Sequence, residues 1–509
     1  MTLPRLIQGG MGVGVSGWTL AREVASLGQL GVVSGTALDA VLVRRLARGD
    51  PGGNVRRALA AFPVASVAQR VLERYFREVG SAGASAAATT PTHAPVGLRR
   101  TGADAGERYA LLPLPRAKLT PEREWLLMAA NFVEVYLAKE GHGGVVGINY
   151  LHKIQFPVLP SLYGAMLAGV DVVLMGAGIP AEIPGVIDRL SLHEDVQVWL
   201  DVLDAGAQKY QLSFDPATLW RGHPGGAPAP LRKPRFLAIV SSATLARALL
   251  KKAPGGLDGF VVEAPTAGGH NAPPRGVQQL SHRGEPIYGV RDDADLSTMA
   301  TLGVPFWLAG GYATRERFEA ALATGAHGVQ VGTAFAFCEE SGLDPVWRRQ
   351  FLARVVRGES DVFTDPAASP TSFPFKVAAM EGTLSEPDLY AARPRLCDLG
   401  YLRRAYRRAD GTVDYRCPAE PIDDYVHKGG KPEDTVGRKC LCNGLMANIG
   451  LGQRRADGYE EPLLLTAGDD LACLRAYISP ECLSYRARDV IEAIRPAAQP
   501  LAHDASVRG

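Results

Sequence analysis

Short apolar runs alternate with amphipathic segments along most of the chain. The apolar runs are rich in Val and Ile and are bounded by Gly or Pro, which is typical of strands buried on both faces of a parallel sheet. Eight such runs are predicted as strands: Arg5–Gln8, Gly31–Ser34, Val145–Asn149, Asp171–Met175, Phe236–Val240, Gly259–Glu263, Phe306–Ala309 and Gly328–Val331.

Helical patterns lie between most of these runs. They are predicted at Gly17–Leu27, Ser161–Ala168, Ala181–Leu190, Ala243–Lys252, Ala294–Leu302 and Arg315–Thr324. A strict alternation of strand and helix implies right-handed crossovers and a parallel sheet. Eight units favour an α/β fold of the (β/α)8 TIM-barrel type, with a doubly wound open sheet as the alternative.

Three stretches fall outside the repeat. The first follows strand 2 and contains helical patterns at Asn54–Val79 and Pro121–Lys139, separated by a low-complexity segment, Gly80–Gly106, that we expect to be mobile. The second, Asp201–Pro234, is rich in Pro and Gly and is predicted to be a loop excursion. The third is a C-terminal extension, either a small domain or an arm over the barrel mouth.

These boundaries predict four parts. Residues 1–49 and 145–357 form the barrel, residues 50–144 form a helical insertion with a flexible loop, and residues 358–509 form the extension.

Composition excludes several classes of protein. A hydrophobic content of 46% in 509 residues supports a large core, and a formal net charge of +2 gives no reason to expect nucleic acid or an anionic membrane as partner. No apolar stretch approaches the length of a membrane span, and the amino terminus lacks a signal-peptide pattern. Seven cysteines, an odd number, argue against a secreted disulfide scaffold. We therefore expect a cytoplasmic protein.

The seventh and eighth predicted strands both end in glycine-rich corners. Gly310 and Gly311 follow the seventh strand, and Gln330, Gly332 and Thr333 mark the end of the eighth. Glycine lets backbone N–H groups approach an anion closely, and the loops after these two strands form the usual phosphate site of a barrel. We interpret the pair as the phosphate grip of FMN; the alternative is two tight turns without a ligand.

Two further segments at strand ends are candidates for contact with the flavin ring. The first predicted strand runs into Gly10, Met11 and Gly12, where bare backbone can lie against a flat ring. The third predicted strand ends at Asn149, whose amide can hydrogen-bond the ring edge. A tight turn and a capping Asn are the alternatives.

His270 is the strongest catalytic candidate. It follows strand 6 behind Gly268 and Gly269, so a flexible turn delivers an imidazole to the carboxyl end of the barrel. Glu263 either tunes this site or caps a neighbouring helix. A surface loop histidine is the alternative for His270, and the other histidines are expected to be structural.

The cysteines of the extension allow several roles. Cys397, Cys417, Cys440 and Cys442 fall within 46 positions, but their spacing fits no standard zinc or iron–sulfur signature. Buried thiols are favoured over structural metal or a redox role, so no metal is predicted.

Taken together, these residues resemble the nitronate monooxygenase (2-nitropropane dioxygenase) family of FMN-dependent barrels. The resemblance covers roughly Pro4–Gly14, Val145–Pro180 and Phe236–Asp344. Its matching segments are Gln8–Gly12, Gly268–His270, Ala309–Gly311 and Gln330–Thr333. One departure is that Pro265, Thr266 and Ala267 lengthen the family's histidine turn. The extension, with GRKCLCNGLMANIG, looks more like the larger FMN enoyl reductases that work beside polyketide and fatty acid synthases.

The resemblance implies oxidation of an alkyl nitronate by O2 to a carbonyl compound and nitrite, with His270 binding the nitro group or acting as a base. Two alternatives stay open. One is NAD(P)H-dependent reduction of an enoyl thioester on the same FMN, and the other is a catalytically silent flavin-binding scaffold. A homodimer or a synthase partner is compatible with either enzyme. A non-flavin dehydrogenase barrel would require a nucleophilic cysteine after strand 6, and Gly259–Gly276 contains none.

Overall fold

The computed structural model describes residues 3–78, 109–455 and 457–495. The low-complexity segment Gly80–Gly106, predicted to be mobile, lies outside the described residues.

Eight parallel strands close into a barrel, which confirms the predicted fold class. The barrel strands are β1 (Leu6–Gln8), β2 (Leu30–Ser34), β3 (Val146–Leu151), β4 (Val172–Gly176), β8 (Arg235–Val240), β9 (Gly259–Glu263), β10 (Phe306–Ala309) and β11 (Gly328–Val331). They follow the order β1-β11-β10-β9-β8-β4-β3-β2, so β1 pairs with both β2 and β11. The carboxyl ends of all eight strands therefore meet at one mouth.

The barrel interior is filled by inward-facing apolar side chains. Ile7, Val32, Leu174 and Val261 are fully buried in one cluster, with Trp307 as its largest member. The Trp307 indole N–H donates to the carbonyl of Pro4 at 3.0 Å, so the ring satisfies its polar atom at the amino-terminal end. The interior is a packed core, so the place where a ligand can bind is the mouth.

Helices cover the outside of the barrel and form the insertion. In the amino-terminal half they are α1 (Trp18–Ser26), α2 (Leu38–Ala47), α3 (Asn54–Ala60), α4 (Ala65–Tyr75), α5 (Pro121–Lys139), α6 (Val158–Leu167), α7 (Ile183–Ser191) and α8 (Ala217–Trp220). In the remainder of the barrel they are α9 (Ala243–Lys252), α10 (Leu296–Ala300), α11 (Arg315–Ala323), α12 (Thr333–Ala336) and α13 (Pro345–Arg357). The helix α5 begins where the Thr120 hydroxyl accepts from the N–H of Arg123, with Pro121 in the first turn.

The predicted loop excursion after β4 differs from the structure. A two-stranded antiparallel ribbon joins β5 (Val196–Leu200) to β7 (Tyr210–Phe214), and a short strand β6 (Val202–Leu203) pairs with the extension. Residues 221–234 contain neither helix nor strand, as the Pro and Gly content of this stretch predicts.

The extension lies across the barrel mouth. Its strands are β12 (Val362–Asp365), β13 (Phe375–Ala378), β14 (Arg404–Arg407) and β15 (Val413–Arg416). Its helices are α14 (Pro387–Ala392), α15 (Ile422–His427), α16 (Leu441–Ala447) and α17 (Ala487–Ile494). A second core joins this region to the barrel helix α2, since Val41 packs with Phe375, Leu441 and Leu464. Residues of the extension thus reach the mouth of the barrel.

Within the described ranges, no helix is both long and apolar enough to cross a membrane.

Candidate active site

A cavity of about 450 Å3 opens at the carboxyl ends of the barrel strands. Every site residue predicted from the sequence lines it: Gly10, Met11, Gly12, Asn149, Gly268, Gly269, His270, Gly310, Gly311, Gln330, Gly332 and Thr333. The strand ends of the barrel thus bring together residues that are more than 300 positions apart in the chain.

The turn after β1 forms a bare floor in this cavity. A Cβ placed on Gly10 would lie 2.5 Å from the Cβ of Asn149, so a side chain has no room there. Ser16 holds the turn in place, because its hydroxyl accepts from the N–H of Met11 and donates to the carbonyl of Gly9. The floor is therefore exposed backbone, against which a flat ring can lie.

Two amide side chains flank the floor. The Nδ2 of Asn149 donates to the carbonyl of Leu174 at 3.2 Å, which fixes the amide at the end of β3. The Oε1 of Gln330 is buried and has no partner in the part of the chain that the structure describes. A buried acceptor without a donor is costly. A bound molecule with an N–H group at its edge would satisfy Gln330.

The two glycine corners lie side by side, as predicted. Gly310 and Gly311 both have positive φ, +102° and +78°, a conformation in which a Cβ would be strained. Arg317 donates to the carbonyl of Gly311 at 3.0 Å. A Cβ built on Gly311 would lie 2.9 Å from the Arg317 guanidinium and 3.8 Å from the carboxylate of Asp470. Charges of both signs thus flank this corner.

His270 is held by residues of the extension. Its Nε2 lies 2.7 Å from the hydroxyl of Ser369, and its ring packs edge-on against Phe375 with centroids 4.9 Å apart. Its turn is fixed on both sides, because Asn271 N donates to the carbonyl of Pro374 and Lys376 N donates to the carbonyl of Gly269, both at 2.9 Å. Burial lowers the pKa of His270 to about 4 from an ordinary 6.5, so the imidazole is neutral at pH 7.

Glu263 lies at the end of β9 and also faces the cavity. Its carboxyl group makes no hydrogen bond or ion pair within the described ranges. Burial without a compensating cation raises its pKa to about 7 from 4.5. The carboxyl group of Glu263 caps no described helix, and its role at the cavity stays a prediction.

The sequence allowed the extension to lie over the mouth but did not indicate which of its residues form a wall of the cavity. Tyr401, Leu402, Leu441 and Cys442 line this wall. The Tyr401 hydroxyl donates to the carboxylate of Asp39 on α2, which anchors the wall to the barrel. The alternation of apolar residues in SFPFKVA was a signal for β13, but nothing local in the sequence indicates where that strand packs.

Two other described histidines near the barrel strands, His142 and His327, have structural surroundings. His142 lies 2.7 Å from the carbonyl of Ala138 at the end of α5, and His327 lies 2.8 Å from the carbonyl of Leu3 at the bottom of the barrel. His152, which flanks β3, is not among the residues that line the cavity.

Of Cys397, Cys417, Cys440 and Cys442, three share one small cluster. Cys417 and Cys440 are buried together, with Cys442 packed against them. Burial raises the pKa of Cys442 to about 12, so its thiol is protonated at neutral pH. Among the described residues, no group of three or more His, Cys, Asp or Glu side chains is placed to hold a metal ion.

Comparison with known proteins finds a family match over the part of the sequence that carries much of the site. The sequence model of the family described as Nitronate monooxygenase matches residues 233–358, the part of the barrel that carries the histidine turn and both glycine corners. A probable nitronate monooxygenase of Bacillus subtilis (strain 168) is 37% identical over 114 residues, which are 22% of this chain. The aligned part spans 31% of that relative's length.

Solved structures are similar over most of the chain but at low identity. FabK from Thermotoga maritima has 14% identity and a TM-score of 0.44, with 96% of this chain and 91% of that chain covered. The enoyl reductase domain of MlnA from the macrolactin cluster of Bacillus amyloliquefaciens has 11% identity and a TM-score of 0.44, with 96% and 92% covered. At these values neither structure bears on activity. Over residues 233–358 the chain thus matches the nitronate monooxygenase family of oxidoreductases, which confirms the resemblance predicted from its sequence.

Proposed function

We propose that this protein is an FMN-dependent oxidoreductase that oxidises alkyl nitronates with O2. The observation that carries the proposal is the convergence of the floor at Gly10, the two glycine corners and His270 on one cavity. The family match over residues 233–358 supports the same reaction class.

The residues present fit FMN on three counts. The floor offers a surface for a flat ring, the unpartnered Oε1 of Gln330 suits a ring N–H group, and the corners at Gly311 and Gly332 offer backbone N–H groups to a phosphate. When bound, FMN supplies the electron transfer between the substrate and O2. The chain itself supplies binding, orientation and proton handling.

His270 is suited to bind substrate rather than to remove a proton from carbon. With a pKa near 4, the neutral imidazole is a weak base at pH 7. Its Nδ1 has no partner within the described ranges and is available to an oxygen of the nitro group. This favours a nitronate, which is already deprotonated, over a neutral nitroalkane as the substrate.

Glu263 is better matched to proton transfer. A carboxyl group with a pKa near 7 exists in both forms at neutral pH, which is the condition for an efficient acid or base. With a nitronate as substrate no proton leaves carbon, so we propose that Glu263 acts as a base only when a neutral nitroalkane must first give up its carbon-bound proton, while His270 orients the substrate.

Reduction of an enoyl thioester by NAD(P)H is the second candidate, and one observation favours it. The wall that the extension builds is mainly apolar, with Leu402, Leu441 and Leu445 facing the cavity, and Ile154 of the barrel also lines it. A small nitronate does not need such a wall, whereas an acyl chain would be buried by it.

Two parallel assays distinguish these candidates. Purified protein is mixed with propionate-3-nitronate while oxygen uptake and nitrite are measured, and separately with NADPH and an enoyl thioester under anaerobic conditions. Free FMN at the same concentration is the control. We expect oxygen uptake with nitrite release. NADPH oxidation that requires the thioester, without oxygen uptake in the nitronate assay, would favour the reductase. A protein-bound flavin that reacts in neither assay would favour a scaffold.

A further inference from the structure

A six-residue segment of the extension, residues 465–470 (LTAGDD), lies between the histidine turn and the corner after β11. We refer to it as the strap. The N–H of Asp469 donates to the carbonyl of Thr266 at 3.1 Å, and the hydroxyl of Thr466 accepts from the N–H of Gly269 at 3.1 Å. The strap is therefore bonded to the turn that carries His270.

The strap is also packed tightly against this turn. A Cβ on Gly268 would lie 2.9 Å from the backbone of Ala467, and a Cβ on Gly468 would lie 2.9 Å from the carbonyl oxygen of Thr266. Real Cβ atoms essentially never come this close to backbone atoms. The two backbones can meet in this way only because both positions are glycine.

An ion pair between a buried lysine and a solvent-accessible aspartate anchors the strap on its other side. Lys376 on β13 is 1% exposed, and its Nζ lies 2.7 Å from the carboxylate of Asp469 and 2.7 Å from the hydroxyl of Thr364. Separating Lys376 from Asp469 would leave a buried charge without its partner, which is strongly unfavourable. The strap therefore has a defined position over the cavity.

The contact that bears on the cofactor is made by Gly468. Its N–H donates to the hydroxyl oxygen of Thr333 at 2.9 Å. Because this hydroxyl accepts from Gly468, its own proton is free to be donated elsewhere. Thr333 lines the cavity at the corner after β11, where the phosphate is proposed to bind.

We propose that the strap is part of the cofactor site, and that Gly468 orients the Thr333 hydroxyl as a hydrogen-bond donor to the FMN phosphate. This inference rests on the proposed function. It gives the extension a role in flavin binding, with Gly468 as a positioning residue that acts through Thr333.

Gly468→Ala tests the inference, because the new Cβ would lie 2.9 Å from the carbonyl oxygen of Thr266 and 3.2 Å from the Thr333 hydroxyl, so Gly468 must move away from both. Gly289→Ala is the matched control, since Gly289 has a φ of −130° and its Cβ would meet nothing within 4 Å. Dissociation constants for FMN and for riboflavin are measured by fluorescence titration of the cofactor-free proteins. We expect Gly468→Ala to weaken FMN binding about tenfold, which corresponds to one hydrogen bond to a charged group, and to leave riboflavin binding nearly unchanged.

A double-mutant cycle separates positioning from general damage. If Gly468 acts through Thr333, Thr333→Val should also weaken FMN binding about tenfold, and the two changes together should cost little more than either alone. Additive losses, or equal losses for FMN and riboflavin, would overturn the inference. Unchanged FMN binding in Gly468→Ala would overturn it while leaving the proposed function intact. Failure of the unaltered protein to bind FMN would overturn both.

If Gly468→Ala does not fold, hydrogen exchange on the unaltered protein tests whether the strap is part of the cofactor site. Addition of FMN should slow exchange of the amides in residues 466–470, together with those of the two glycine corners. Protection of the corners without any change in the strap would contradict the inference.

Discussion

Replacing Glu263 with Gln tests whether the cavity has the electrostatics that the structure indicates. The carboxyl group lies at the end of β9 without an ion-pair partner in the described part of the chain, and burial raises its pKa to about 7 from 4.5. One pKa unit corresponds to about 1.4 kcal/mol. Forcing Glu263 to ionise in the folded protein therefore costs about 3 kcal/mol, an order-of-magnitude value.

The sign of the effect follows from proton linkage. Between pH 4.5 and pH 7 the folded protein holds the Glu263 proton more tightly than the unfolded chain does. The stability contributed by this group is therefore complete below pH 4.5 and is lost as the pH rises through 7. His270 has the opposite effect, because its lowered pKa makes its contribution rise between pH 4 and pH 6.5 and stay constant above that.

The assay is urea unfolding of the cofactor-free protein at pH 5, 6.5 and 8, with and without Glu263→Gln. The His270 contribution is common to both proteins, so their difference isolates Glu263. Relative to the variant, the unaltered protein should lose about 2 to 3 kcal/mol between pH 5 and pH 8, of which about 1 kcal/mol falls above pH 6.5. Glu492→Gln, on the exposed face of α17, should keep the pH dependence of the unaltered protein. The reasoning is refuted if Glu263→Gln also keeps the pH dependence of the unaltered protein.

Two further substitutions address binding and turnover separately. His270→Asn should retain bound flavin and its yellow colour, because the floor and the corners are untouched, but it should lose most turnover. Steady-state rates and the visible spectrum are the measurements. Unchanged rates would remove His270 from the mechanism. Asp470→Asn should strengthen FMN binding about fivefold, because it removes a negative charge beside the Gly311 corner. The magnitude follows from the interaction of unit charges about 4 Å apart in water, which is about 1 kcal/mol. Titration with FMN and with riboflavin is the measurement, and an equal gain for both ligands would contradict an effect on the phosphate.

The barrel could be predicted from the sequence because each of its strands carries a local signal. Phe306–Ala309 and Gly328–Val331 are buried runs that end at glycine corners, and the structure places both strands within the predicted bounds. The order of units along the chain then fixes which strand ends meet, since a closed barrel brings the carboxyl ends of all its strands to one mouth. The location of His270 beside the corners follows from this topology alone.

The ribbon of β5 and β7 was missed although its pattern is visible. Val196, Val198 and Leu200 are buried, while Gln197 and Trp199 between them are exposed. This is a half-buried strand with a period of two, but the exposed Trp199 makes its second half, residues 198–200, look continuously apolar. The alternation is hidden by a single residue whose side chain faces solvent.

The contribution of the extension to the site could not be predicted, because it depends on contacts between distant segments. Ser369 approaches His270, and Gly468 approaches Thr333, across separations of 99 and 135 residues. Lys376 also has no local signal, since a lysine in a short apolar run gives no indication that it will be buried against Asp469. Packing of this kind is set by tertiary structure, and the residues themselves are compatible with other positions.

The central claim is that the glycine corners of β10 and β11 bind the phosphate of FMN. It is tested most directly by fluorescence titration of the cofactor-free protein with FMN and with riboflavin, which differ only in that phosphate. FMN should bind at micromolar concentration or tighter, and riboflavin at least about tenfold more weakly, since the phosphate adds charge-assisted hydrogen bonds. Equal affinity for the two flavins, or no binding of either, would contradict the account.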